Sequence, residues 1–356
     1  MLKPMHTLKF SSFKLTLLPL VLIITTTLIA SCGSDSSGTS VTPQGSNTPT
    51  ALTAASDGAS PTHTELTSTA VVIPESPTEV DPIPRDEPSE TAPQPTSPPT
   101  DTAPPPLESW MDMPVIPIVS NTALTIYQRG LEMGRNPQAF SKVGDCQNVA
   151  SMFLSIFDQP GYYSLGDYAH LQETIDWFSG SFSRVSLAVK GGFNVASVLS
   201  PLRADPTHCE SGESPLACEL RIHNPSFVII SMETWWSQSP EEVYEKYMRQ
   251  ILEYTMAQGV VPILATKADN LEGNHSINAT IGKLAREYDV PLWNFWLAVQ
   301  PLPNHGLQEE DNFHLTFAGN YFDDPQRMLS AWPNRNLTAL QALDTVWREV
   351  SEMTSP

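Results

Sequence analysis

The chain has 356 residues, and its 39 Asp and Glu against 19 Lys and Arg give a formal net charge of −20. Phosphate binding needs clustered cations, so a chain this acidic argues against nucleic acid or an anionic membrane surface as a partner. Its 33 prolines crowd the first third, which cannot form a packed core, so the folded part lies C-terminal to it.

The N-terminus carries Lys3, Lys9 and Lys14 and then an apolar run over 15–30, broken only by Thr and one Pro. That run is short for a membrane span and reads as the apolar region of a signal peptide. It ends in "IASC" (29–32), which resembles the lipobox of bacterial lipoproteins, where the Cys is diacylated on its thiol and becomes the mature N-terminus. The resemblance implies a signal segment over 1–32 with lipidation at Cys32, anchoring the chain to the bacterial cell membrane on its extracytoplasmic side. The alternative is an ordinary secretory signal cut near Ala30. In both cases the mature chain leaves the cytoplasm, where disulfides persist.

Residues 33–106 are Ser, Thr, Pro and acid, as in "PTEVDPIPRDEPSETAPQPTSPPTDTAPPP". Such a segment has too little apolar surface to offset its ordering entropy. As a coil it reaches on the order of 50 Å, which suits a disordered tether lifting a domain over 107–356 off a membrane.

From 107 onward, short β-branched runs alternate with helical patterns, the signal for βαβ units around a mostly parallel sheet flanked by helices. "FSKVGDCQN" (140–148) reads as a buried strand running into a Gly-Asp turn. "SRVSLAV" (183–189), "SFVIISM" (226–232) and "VVPILAT" (260–266) are the clearest further strands. Between the last two, Ser239, Pro240 and Glu242 supply an N-cap, a first-turn proline and a capping-box acid, and Gly259 supplies the stop. A second helix is predicted over 275–288, followed by "VPLWNFW" (290–296), and a last helix over 337–350.

With Cys32 lipidated, three cysteines remain. Cys209 and Cys218 flank "ESGESPLA", a polar stretch short enough to be closed by a disulfide, the alternative being two free thiols in a mobile loop. Cys146 is then the odd one. His208 beside Cys209 reads as solvated, and it and the two cysteines have no fourth ligand at a spacing that would hold a metal. His305 in "PLPNHG" reads as a turn residue, and neither metal nor cofactor is expected.

In an α/β sheet the reactive groups gather at the carboxyl ends of the strands. Four stretches fit such places: "GDC" (144–146), "KGG" (190–192), "ETWW" (233–236) and "DNFH" (311–314). Together they resemble the SGNH hydrolases, the GDSL-type esterases and lipases, over about 120–350. In that family a Ser in a Gly-Asp-Ser turn attacks an ester carbonyl, a Gly and an Asn complete the oxyanion hole, and an Asp-x-x-His pair activates the Ser. "PLWNFWLAVQPLPNHGLQEEDNFHLTFAG" looks much like the family's final strand and its approach to the catalytic His. The resemblance implies a flavodoxin-like three-layer fold. It also implies Cys146 as nucleophile, His314 as general base and then acid, Asp311 as the orienting carboxylate, and the backbone N–H groups of Cys146 and Gly192 as oxyanion donors. A one-residue shift would put Gly191 in the place of Gly192.

Two departures bear on the chemistry. Cys146 stands at the Ser position, and a thiol with an unperturbed pKa near ~8.5 is little ionised at neutral pH unless a neighbouring His supports its thiolate. Counted without gaps from Pro225, the family's Gly-x-Asn-Asp block falls on Glu233, Thr234, Trp235 and Trp236, so the oxyanion Asn becomes Trp235. Losing one such donor costs about 10²–10³ in rate, and an ionised Glu233 would repel the developing charge.

Two functions follow. One is a surface-tethered hydrolase of carboxyl esters, on an acetylated glycan or a lipid ester. The other is a catalytically degenerate binding module for glycan or cell-envelope ligands, with Trp235 and Trp236 facing the ligand, although both could equally pack under a loop. The hydrolase is favoured because Asp311 and His314 would be free to drift in a purely structural relative.

Overall fold

The computed structural model describes residues 109–232 and 241–354; the predicted signal segment, the tether and the "ETWW" stretch lie outside the described residues. Four parallel strands stand side by side in chain order: β1 (Asn136–Gly144), β2 (Pro225–Ser231), β3 (Val261–Ala265) and β4 (Leu292–Trp293). Every residue of β2 and β3 is buried, a pattern that arises only where both faces of a sheet are covered. Helices α1 (Asn121–Glu132) and α7 (Ala331–Glu352) pack on the sheet and on each other, with the short α2 (Gln172–Trp177) against α7. Helices α4 (Glu241–Ala257) and α5 (Ser276–Glu287) form a second packed pair on β3, and α3 (Pro215–His223) lies on β1. The fold is therefore α/β, a mostly parallel sheet flanked by helices.

One predicted strand is corrected. Residues 183–189 join the sheet only through a single parallel bridge between Gly144 and Val189. Side chains satisfy the rest of that backbone edge: Ser186 Oγ donates to Lys142 O at 2.6 Å and accepts from Ala188 N, and Leu187 N donates to Glu219 Oε2 at 2.9 Å. Short polar side chains thus replace the ladder. Even so, the segment lies on the free side of β1, which gives the spatial order 2-1-3-4-5 when it is counted as the second element. That is the flavodoxin-like order, with its reversal at β1.

The boundaries of the helices have local causes. At the end of α4, Gly259 N donates to Met256 O and Val260 N to Thr255 O, a Schellman closure that needs the positive φ of 69° found at Gly259. A Cβ on Gly130 of α1 would sit 2.1 Å from Gly259 O, so the two glycines also let α1 approach. The Ser239 and Pro240 cap signals lie outside the described residues.

Helix α7 starts six residues before the predicted one, with Pro333 in its first turn, where a missing N–H breaks no helical bond. Arg335 and Asn336 there are buried rather than solvated. The 290–296 run is a two-residue strand, because Asn294 turns to cap helix α6 (Phe295–Val299) through Leu297 N. Cys209 and Cys218 are joined by a disulfide, and Cys218 sits on α3, so the stretch between them is a loop that runs into the first turn of that helix. The bond takes both sulfurs out of metal ligation.

Candidate active site

The turn after β1 is built from buried polar groups. Asp145 is fully buried and accepts from Gln147 N at 3.1 Å, and Asn148 N donates to Asp145 O, which closes one 3-10 turn over Cys146–Asn148. Gly144 precedes it because a Cβ there would lie 2.1 Å from Asn148 Nδ2. Asn148 Nδ2 then donates to Ser231 O at 2.8 Å, tying the turn to the end of β2. Gln147 Nε2 reaches Phe313 O at 3.5 Å, tying it to the loop that carries Asp311 and His314. Cys146, partly exposed, is held between these two anchors at the reversal point of the sheet, where open α/β sheets bind ligands.

Sequence reasoning missed the two amides. Their signal was the pair Gln-Asn directly after the Cys, polar residues that a buried turn keeps only if they are hydrogen-bonded. It also missed Arg335, which is fully buried, donates to Ser231 Oγ at 2.8 Å and lies over the rings of Phe153, Trp293 and Phe295. That guanidinium supports the end of β2 from below.

Asp311 and His314 form one unit. Asp311 Oδ1 accepts from Phe313 N at 2.9 Å and His314 N at 3.0 Å, while its Oδ2 is bonded to His314 Nδ1. The imidazole bond, reinforced by the two amides against partial desolvation, pulls the carboxyl down to about 2. Asp311 is therefore ionised throughout the neutral range and fixes the ring with Nδ1 towards itself. That leaves Nε2 for proton transfer. It is buried and has no hydrogen-bond partner among the described residues, with the Phe313 ring packed 5.0 Å away. The loop is pinned by Gln308 N to His314 O at 2.8 Å, Gln308 Nε2 to Leu315 O at 3.0 Å and an antiparallel bridge between Leu307 and Leu315.

The turn of Cys146, the "KGG" segment and the Asp311–His314 loop thus meet at one edge. A Cβ built on Gly191 would lie 3.9 Å from Cys146 Cβ, whereas one on Gly192, at φ 80°, meets nothing within 4 Å. On proximity it is Gly191, the alternative left open by a one-residue shift, that borders the Cys146 side chain. Trp235, Trp236 and Glu233 lie outside the described residues.

Cys146 had been left over as the odd thiol, and here the structure corrects the sequence. Its sulfur is bonded rather than a free thiol, and no described cysteine is free.

No family model and no curated protein matches the chain. Among solved structures, a candidate SGNH hydrolase from Slackia heliotrinireducens is similar at a TM-score of 0.40 and 14% identity, covering 58% of this chain and 100% of that one. The likeness is distant.

Proposed function

We propose that this domain is an SGNH-like hydrolase of carboxyl esters in which the Asp311–His314 pair supplies the acid-base chemistry and Cys146 the nucleophile. The supporting observation is the Nε2 of His314, buried and without a partner among the described residues, on a ring fixed by Asp311 in a loop bound through Phe313 to the turn of Cys146. In this reading Cys146 must first be released from its disulfide by a thiol reductant. Its sulfur then attacks the ester carbonyl as His314 takes the thiol proton, the alkoxide leaves with that proton, and water deprotonated by His314 cleaves the thioester to restore the thiol. Backbone amides of Cys146 and the "KGG" segment are the oxyanion donors of this reading.

The disulfide at Cys146 favours a second reading, a binding module for glycan or cell-envelope ligands that has lost catalysis. Turnover of p-nitrophenyl acetate by the full chain, with and without dithiothreitol, separates them. The hydrolase is expected to turn over only when reduced, and Cys146→Ala is expected to abolish that rate. A reduced, folded protein with no turnover leaves the binding module.

We further propose that the domain is held outside the cytoplasm by a lipid on Cys32, at the end of the 33–106 tether. Palmitate label is expected in the full-length protein and absent from Cys32→Ser; equal labelling of both would overturn the anchor.

A further inference from the structure

The carboxyl ends of β3 and β4 frame a pocket of about 300 Å³, at the small end of the range for ligand sites. Among the described residues its walls include Asn270 and His275 from the loop between β3 and α5, Trp296 and Gln300 from α6 and its end, and His305 and Asn312 from the loop that carries Asp311 and His314. Asn312 is the immediate neighbour of Asp311. The pocket therefore opens beside the candidate catalytic pair, on the same edge of the sheet.

Each polar side chain there is fixed through one atom and leaves a second atom over. Asn270 Oδ1 accepts from His275 N at 2.7 Å, Gln300 Nε2 donates to Trp296 O at 3.0 Å, Asn312 Oδ1 accepts from Asn304 Nδ2 at 3.1 Å, and His305 Nδ1 is bonded to Gln300 O at 3.1 Å. What remains is Asn270 Nδ2 and Asn312 Nδ2 as donors and Gln300 Oε1 and His305 Nε2 as acceptors, the last because Nδ1 carries the proton donated to Gln300 O, all held in fixed directions. His275 Nδ1 is buried with no partner among the described residues, on a ring that packs 5.9 Å from both Trp110 and Trp296.

The backbone is strained in the same place. His275, His305 and Asn312, three of the lining residues, have φ of 55°, 52° and 52°, and Asn304, bonded to Asn312, has 43°, all non-glycine residues in the left-handed region. Such strain persists where surrounding structure enforces it, and it clusters at ligand clamps. Here the enforcement is a buried layer beneath the loop: Lys267 Nζ donates to Asp269 and Glu272 at 2.6 Å each, and Thr266 Oγ1 donates to Asn294 Oδ1 at 3.0 Å and accepts from Trp296 N at 2.9 Å.

The chemistry of the walls selects the ligand. Among the described residues no Asp, Glu, Lys or Arg lines the pocket, so a charged ligand would find no counterion there. A wholly apolar ligand would bury the amide groups and His275 Nδ1 without partners, which costs about 1–3 kcal/mol for each group. A ring with an apolar face for Trp296 and hydroxyls for the amides and histidines meets both conditions. We propose that this pocket is a subsite for one neutral sugar residue, seating a glycan so that an ester on it reaches His314. The placement in catalysis rests on the hydrolase reading above, while sugar binding itself does not.

The test uses the full chain with cellobiose and N,N′-diacetylchitobiose as probes at millimolar concentration, read by saturation transfer to the sugar ring protons. Transfer to at least one probe is expected, with affinity falling about tenfold or more in Trp296→Ala and His275→Ala. Asn270→Ala, a smaller change at a half-buried loop position, serves if Trp296→Ala fails to fold. In a second arm, the ratio of kcat/KM for acetylated cellobiose to that for p-nitrophenyl acetate is expected to fall about tenfold in His275→Ala. Binding without any ester turnover keeps the subsite and removes the hydrolase. Ester turnover with no transfer to either sugar, or sugar binding untouched by all three substitutions, overturns the subsite and leaves the hydrolase standing.

Discussion

Replacing His314 with Ala is expected to lower turnover of p-nitrophenyl acetate by the reduced protein by about 10²–10⁴-fold, the contribution of a positioned acid-base group. The ring has no second function that would hide the loss: Nδ1 is committed to Asp311 and Nε2 has no partner among the described residues. Asp311→Ala should cost less, because the imidazole survives but loses its fixed orientation and the carboxylate that steadies its cation. Since the Asp311 carboxyl is held at about 2, it contributes no limb to a pH–rate profile recorded above pH 4. Initial rates of the three proteins, each checked for folding by circular dichroism, measure the effect; equal rates in wild type and His314→Ala would remove His314 from the chemistry.

Lys267→Met is expected to destabilise the fold by about 3–5 kcal/mol at pH 7, the usual loss when one partner of a buried ion pair is removed. Lys267 and Asp269 are buried to 2% and 1% exposure, and Glu272 shares the same ammonium. Without it, two carboxylates stay in a low-dielectric loop with no cation. Desolvation already raises the Asp269 carboxyl against the opposing pull of Lys267, so losing the ammonium raises it further. A group whose folded pKa exceeds its unfolded value gains stability as pH falls through the folded value, so the deficit of the variant should narrow from pH 7 towards pH 5. Urea unfolding of both proteins at the two pH values checks this, and a deficit that widens on acidification would contradict it. Because the same cluster supports the loop carrying Asn270 and His275, the variant should also loosen the sugar pocket.

The parts legible in the sequence were those whose signal is local. The strands 226–232 and 260–266 stood out because both faces are buried, so nearly every residue is apolar. Helix α5 and the stop at Gly259 were marked by their own periodicity and by glycine. Asp311 and His314 were legible because three residues of spacing already bring the side chains together. The rest depended on distant partners. Residues 183–189 have strand composition, yet Ser186 and Glu219 satisfy the backbone that a ladder would have used. The start of α7 was hidden by "PNRN", four residues that read as a loop until Arg335 finds Ser231 Oγ and Asn336 accepts from Leu154 N. Gln147 and Asn148 owe their roles to Phe313 and Ser231, far along the chain.

The central claim, that His314 serves the sulfur of Cys146, is tested most directly by alkylation. After reduction, the rate at which iodoacetamide modifies Cys146 should be measured by peptide mass mapping from pH 5 to 9 in the wild type and in His314→Ala. If the imidazole supports the thiolate, modification at neutral pH is faster than for an unperturbed thiol, whose pKa is about 8.5, and His314→Ala moves the midpoint up towards that value. Identical slow profiles in the two folded proteins would contradict the account, leaving Cys146 a structural sulfur and the domain a binding module.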